Sequence, residues 1–255
     1  MEAAAIEVRV LDTHEAFRAT LAVQVGVWKF SGIDQIPPRI LSVAKYIGGL
    51  VLGAYDGEKM IGFSFALPGG KTDGSRYWHS HMTGVLGDYQ NRGIGRMLKL
   101  KQRQEALAAG VSLIEWFFDP LEIRNAHFNI ERLGAIARTF LPNQYGITSS
   151  PLHGGMPTDR LVAEWRLASP RVLAIHSGPE PKPEPRRVEK TIEIPAQISD
   201  LRSSDQEKAK AIQRRVREQF QEYFRMGLAV TGYQRGGEGG RFELGRLTPH
   251  DVGND

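Results

Sequence analysis

Over Ile6 to Leu11 the chain reads Ile-Glu-Val-Arg-Val-Leu, an alternation with the period of a strand that buries one face. Behind it, Phe17, Leu21, Val25 and Trp28 recur every three or four residues, which predicts a helix over about 14–28 with Asp12 or Thr13 as its cap. Pro37-Pro38 keeps 31–38 a loop, and Ile40 to Ile47 reads as a second short helix. Gly48-Gly49 then opens a hairpin: Leu50 to Tyr55, a turn at Asp56-Gly57-Glu58-Lys59, and Met60 to Leu67. A strand over His79 to Leu86 follows the loop at 68–75, and a helix runs from Gly93 to Ala109 with Gly110 at its end. Leu113 to Phe118 is apolar apart from Glu115, as a central strand is. A helix over Asn125 to Leu133 and strands over Ala135 to Leu141 and Thr158 to Leu167 complete this part.

Beyond it the pattern changes. Residues 178–187 are proline-rich and read as an extended linker between a domain at 1–177 and an appendage at 188–247. The appendage reads β-α-β-β: a strand at Val188 to Ile194, a capping box at Ser204-Asp205-Gln206-Glu207, a helix to about Met226, and a hairpin of Leu228 to Tyr233 with Arg241 to Leu247. A unit of this size rarely folds alone, so it is expected to pack on the first domain or to join two copies of the chain as a homodimer. The tail 248–255 is expected to be disordered.

Composition removes several classes of function. With 255 residues, 41% apolar and 24% charged, the chain has the make-up of a soluble globular protein, and no apolar run approaches membrane length. An acidic start and the absence of cysteine argue for a cytoplasmic protein without disulfides. The net charge of +4 is spread evenly, with 19 Lys and Arg against 16 Asp and Glu over 1–177 and 14 against 11 over 178–247. No basic tract stands out for nucleic acid. His14, His127 and His176 show no metal-ligand spacing, so no metal site is expected.

The chemistry is concentrated in Gln90-Asn91-Arg92-Gly93-Ile94-Gly95, between the strand 79–86 and the helix that follows. The first N–H groups of that helix have no partner within it, and they and the helix dipole favour an anion such as pyrophosphate. The dinucleotide fingerprint fails because Leu98 stands at its third glycine, and a Walker loop fails on spacing. The pattern Q/R-x-x-G-x-G/A resembles the acyl-CoA pyrophosphate loop of the Gcn5-related N-acetyltransferase (GNAT) superfamily. The element order over about 5–170 is the one that fold prescribes. The resemblance implies an α/β (α+β) architecture with a mixed, mostly antiparallel sheet and splayed central strands, extended here by the small C-terminal β-α-β-β unit. Glu115-Trp116-Phe117-Phe118-Asp119-Pro120-Leu121, Arg124-Asn125-Ala126, Leu152-His153-Gly154-Gly155 and Thr158-Asp159-Arg160-Leu161 resemble a group of uncharacterised, predicted bacterial GNAT proteins.

Several roles follow from the resemblance. Acetyl-CoA, or another acyl-CoA, is the implied cosubstrate and a small-molecule amine the implied acceptor. Val85 would bond the pantetheine arm through its backbone, while Gln90, Asn91, Arg92, Gly93, Ile94, Gly95 and Arg96 hold the pyrophosphate. Asn125 and Asn129, four apart on one helical face, could bond pantetheine amides or serve as ordinary capping and surface residues. His79 and His81 are spaced like the paired histidines of arylalkylamine N-acetyltransferases and imidazole titrates in the range a base needs; the alternative is a hydrogen-bonded pair of strand histidines. Asp119 and Glu115 are further candidate bases. Where many GNAT members carry an acidic tyrosine, this chain has Ile130. Either Tyr145 donates the proton, or the thiolate leaves unaided, or the domain binds CoA without transfer and serves in regulation or assembly.

Overall fold

The computed structural model describes residues 5–30, 32–146, 155–176 and 186–253. Most of the proline-rich linker and the stretch Leu152-His153-Gly154 lie outside the described residues. The chain divides into two compact units, with the boundary between Glu115 and Trp116 and not at the linker.

In the first unit, β1 (Glu7–Val10), β2 (Leu50–Asp56), β3 (Lys59–Gly70) and β4 (Arg76–Val85) form an antiparallel ladder in chain order. The opening residues of β5 (Leu113–Phe118) lie parallel to β4, with Trp78 opposite Ile114 and His79 opposite Glu115. Helices α1 (His14–Trp28), α2 (Pro38–Tyr46) and α3 (Ile94–Ala108) complete it. Thr13 caps α1 by accepting the Ala16 N–H at 3.2 Å. Phe17, Val23, Leu41, Ala44, Val51, Phe63, Phe65 and Met82 make the core.

The buried stripe of α1 differs from the one the apolar pattern predicts. Phe17, Thr20, Val23 and Gln24 are buried, while Val25 is 45% exposed. Gln24 is tolerated inside because its amide accepts the Ile36 N–H at 2.8 Å and donates to the Ile36 carbonyl at 3.2 Å. Thr20 donates back to the Phe17 carbonyl.

The second unit begins with the end of β5. It continues through α4 (Ile123–His127), a π turn (Phe128–Arg132), β6 (Ile136–Leu141), β7 (Arg160–Arg166) and α5 (Pro170–His176). The C-terminal part adds β8 (Lys190–Pro195), α6 (Ile198–Ser204), α7 (Gln206–Arg225), β9 (Ala229–Gly236), β10 (Gly239–Gly245) and α8 (Pro249–Val252). Here the strand order is β7-β6-β9-β10-β8, so the expected appendage continues the sheet of β6 and β7. Ala137 opposite Val230 is the joint. Helix α7 covers this sheet. Phe220, fully buried, lies 5.7 Å from the Phe140 ring, 5.2 Å from Phe242 and 5.5 Å from Phe224. Phe220→Ala is therefore expected to cost about 3–5 kcal/mol, the range for emptying a packed phenylalanine site. Urea denaturation checks this, and a loss under ~1 kcal/mol would contradict a shared core.

Three details correct the expectations. The cap of α7 is Asp205, which accepts the Lys208 N–H at 3.1 Å, because Ser204 is taken up as the last residue of α6. The tail is not structureless: Thr248 and Asp251 form a capping box on α8. Asp251 also meets the buried Arg171 at 3.4 Å. The single helix expected over 125–133 is a five-residue α-helix followed by the π turn. That turn is held from outside: Arg171 donates to the Ile130 and Gly134 carbonyls, the Trp165 indole to the Leu133 carbonyl, and the Tyr233 N–H to Glu131. Among the described residues no helix is long and apolar enough to cross a membrane.

Candidate active site

Val85 ends β4, and the chain then makes a 3-10 turn at Gly87–Tyr89 before α3. Two left-handed residues, Asn91 (φ 62°) and Gly93 (φ 80°), fold the loop tightly and set Gly93 as the residue before the helix. The first bond inside α3 runs from the Met97 N–H to the Gly93 carbonyl at 3.0 Å. The N–H groups of Ile94, Gly95 and Arg96 precede that bond, and no side chain of Gly93 is there to cap them. A Cβ built at Gly93 or Gly95 would meet no atom of the described residues within 4 Å, so there is room beside both glycines. Arg92 lies 5.1 Å and Lys59 5.3 Å from the Tyr89 ring, whose hydroxyl donates to Asp56 at 3.0 Å. This loop brings the first N–H groups of α3 and cationic side chains together, the chemistry that fits a pyrophosphate. The Gln90 side-chain amide donates to the Val85 carbonyl at 3.2 Å.

Upstream, His81 is the extra residue of a β-bulge: Phe65 opposes Met82, whereas Ala66 opposes Ser80. His79 and His81 are both half-buried, with ring centroids 6.1 Å apart, and Phe65 stands edge-on to His81 at 5.9 Å. Burial, reinforced by the charges of His81, Lys99 and Lys71, pushes the His79 pKa down to about 4. Burial alone lowers that of His81. Both imidazoles are therefore neutral at pH 7, below the near-neutral titration expected from the residue type.

Behind β4 lies a polar cluster that the sequence pattern had not singled out. Lys99 of α3 is buried, donating to Ser80 at 2.8 Å and to Gln102 at 3.2 Å. Gln102 donates to Ser64 at 3.2 Å, and Ser64 shares a hydrogen bond with Thr83 at 2.9 Å. Burial brings Lys99 down to about 7. The bulge at His81 lets both Ser80 and Thr83, three residues apart, join this one cluster. A lysine and a glutamine at i and i+3 beside Leu98 and Ala106, on the buried face of α3, are the signal for it.

The β4–β5 ladder comprises Trp78 with Ile114 and His79 with Glu115 only, so among the described residues of the first unit β4 has no β5 partner from Ser80 onward.

The remaining expected site residues belong to the second unit. Asn125 is exposed and Asn129 buried, so they do not share a face; the π turn breaks the four-residue repeat. Ile130 is fully buried. Tyr145 lies 6.2 Å from the Phe117 ring with the Arg160 guanidinium 5.3 Å from its own, and burial raises its pKa, which keeps the hydroxyl protonated. Its backbone is clamped by Thr158, which accepts the Tyr145 N–H and donates to the Gly146 carbonyl. Asp159 accepts from Asn143 and from Arg217 of α7. Asp119 is a turn and ion-pair residue, accepting the Leu121 N–H at 2.8 Å and facing Arg202 at 2.8 Å.

Solved structures of similar form share this architecture. One is the ribosomal-protein-S18-alanine N-acetyltransferase of Escherichia coli, at 17% identity and a TM-score of 0.51 over 64% of this chain and 94% of that one. Another is a putative acetyltransferase of the GNAT family from Desulfovibrio desulfuricans, at 16% identity and a TM-score of 0.52 over 64% of this chain and all of that one. The chain has the GNAT fold. A putative acetyltransferase from Salmonella typhimurium, solved with its cofactor acetyl-CoA, is similar at 14% identity and a TM-score of 0.50, over 71% of this chain and 99% of that one. No family model matches the sequence, and no curated protein does. In this GNAT fold the mixed sheet is mostly antiparallel, and the glycine loop and α3 follow β4 directly.

Proposed function

We propose that the protein is an acyl-CoA-dependent N-acyltransferase that moves an acetyl group from acetyl-CoA to a small-molecule amine by direct attack. The observation that carries this reading is the open, uncapped N-terminus of α3 beside Arg92 and Arg96, directly after the strand that bears His79 and His81. The GNAT fold supports it.

Acetyl-CoA supplies an acyl group activated as a thioester. Ile94, Gly95 and Arg96 bind its pyrophosphate through their N–H groups, with Arg92 and Arg96 adding charge. The Val85 backbone bonds the pantetheine arm, after the Gln90 amide has released the Val85 carbonyl. His79 or His81, neutral at pH 7, takes a proton from the incoming ammonium so that nitrogen has a free electron pair. As the new C–N bond forms and the C–S bond breaks, the Tyr145 hydroxyl is the candidate donor to the departing sulfur. Asn125, being exposed, remains a candidate contact for the arm; Asn129 is buried and is better suited to a structural bond.

One observation favours a second reading, a CoA-binding domain without transfer that serves in regulation or assembly. The position aligned with the acidic tyrosine is Ile130, a buried hydrocarbon without a proton to give.

Incubating the protein with acetyl-CoA and a panel of primary amines, with thiol release as the readout, separates the two. Turnover with at least one amine is the expected result. Calorimetric binding of acetyl-CoA with no consumption across the panel supports the second reading, and no binding at all overturns both.

A further inference from the structure

The β3–β4 turn places a lysine beside the histidine pair. Lys71 Nζ lies 2.7 Å from each carboxylate oxygen of Glu115 and 4.5 Å from the Tyr77 ring centroid. Glu115 stands on β5 directly opposite His79, and side chains of paired residues in a parallel ladder stand on the same face. Tyr77 and His79, two apart on β4, share a face as well. One ammonium group is thus held by a carboxylate and an aromatic face, next to an imidazole that is neutral at pH 7.

The two partners differ in their access to water. The Glu115 side chain is 9% exposed, whereas that of Lys71 is 38% exposed and comes from a short turn. Lys71 can swing into solvent at little cost. Glu115 cannot, and a buried carboxylate without a cation is costly. The site therefore demands an ammonium without demanding this one.

We infer that Glu115 and Tyr77 form the subsite for the ammonium of the acceptor, and that Lys71 is an internal occupant which a cationic acceptor displaces. This rests on the N-acyltransferase reading and narrows its substrate class. The acceptor carries a primary ammonium on an unbranched alkyl stem, as a lysine side chain does, and no anionic group next to the amine, since Glu115 would repel it. Tyr77 holds the cation through its ring face. His79, opposite Glu115 in the ladder, is the nearer of the two histidines to take the proton.

The test uses n-propylamine, the fragment removed when Lys71 becomes alanine, at pH 8, where it is cationic. Binding is measured by calorimetry on the full chain without acetyl-CoA. Lys71→Ala is expected to bind n-propylammonium about ten-fold more tightly than wild type, the gain that follows when an internal occupant that leaves the site free about a tenth of the time is removed. The gain should vanish in Lys71→Ala with Glu115→Gln, and n-propanol, of the same shape without charge, should show none. In the wild-type protein, the 13C resonance of the Lys71 ε-carbon should move to its solvent-exposed position as n-propylammonium is added. A Lys71→Ala protein that binds n-propylammonium no better than wild type overturns the inference, as does a Lys71 resonance that stays fixed. If the binding gain is found but no primary amine is acetylated, the subsite stands and the transferase reading falls. If amines are acetylated with no binding gain, the transferase reading stands and the subsite falls.

Discussion

Gly95→Glu is expected to abolish acetyl-CoA binding while leaving the fold intact. Gly95 sits in the first turn of α3 with no atom of the described residues within 4 Å of the position a Cβ would take, and its φ is not positive. A glutamate there meets no clash, and near a helix N-terminus it is mildly stabilising. Its charge, however, enters the space proposed for the pyrophosphate. Two like charges 4 Å apart at an effective dielectric of about 20 repel by about 4 kcal/mol, enough to weaken binding by about 10²–10³-fold. Gly95→Ala adds the Cβ without the charge and should retain most of the affinity. Calorimetry with acetyl-CoA and circular dichroism of each variant check both halves. Undiminished affinity in a folded Gly95→Glu protein would mean that the cosubstrate binds elsewhere.

Loss of the histidines should act on rate and not on cosubstrate affinity. Replacing both His79 and His81 by alanine is expected to lower kcat by about 10²–10⁴, the usual contribution of a general base, with acetyl-CoA affinity nearly unchanged. The pH dependence follows from the lowered pKa values. An imidazole that burial pushes down to about 4, as at His79, is in its basic form at pH 7 and gains its proton only as the pH falls toward that value. Once the ionisation of the acceptor amine is factored out, kcat/KM of the wild type should be flat through neutrality and decline on the acid side. The double variant should lose that acid limb. A rate and a pH profile unchanged by removing both imidazoles would assign the proton transfer to another group, and Glu115 is the first to examine.

The glycine loop was legible because its causes are local. Positive φ at Asn91 and Gly93 and an uncapped helix start are properties of neighbouring residues, and the motif Gln90 to Gly95 carries them all. The strands of the first unit were legible for the same reason, since each pairs with the next in the chain. What escaped depends on partners far away in sequence. Gln24 on the buried face of α1 is explained by the backbone of Ile36, and the π turn by Arg171, Trp165 and Tyr233. The C-terminal segment was legible as β-α-β-β, yet its docking on β6, through Ala137 opposite Val230 and Phe220 against Phe140, is announced by no local pattern. Lys71, from the β3–β4 turn, and Glu115, from β5, likewise meet from positions far apart in the chain.

The joint between β6 and β9 also sets a timetable for synthesis. The first unit has its antiparallel strands in hand before Trp116 is made, whereas β6 waits for Val230 and Arg171 waits for Asp251. At ~5–20 residues per second, the wait for β9 lasts roughly 5–20 s on the ribosome. Throughout it the hydrogen-bonding edge of β6 and the apolar surface that α7 will cover remain open to strands of other nascent chains. A translational pause between Leu141 and Ala229 would prolong that exposure, so the codon speed of this stretch bears on how much of the protein reaches its native state without chaperone help.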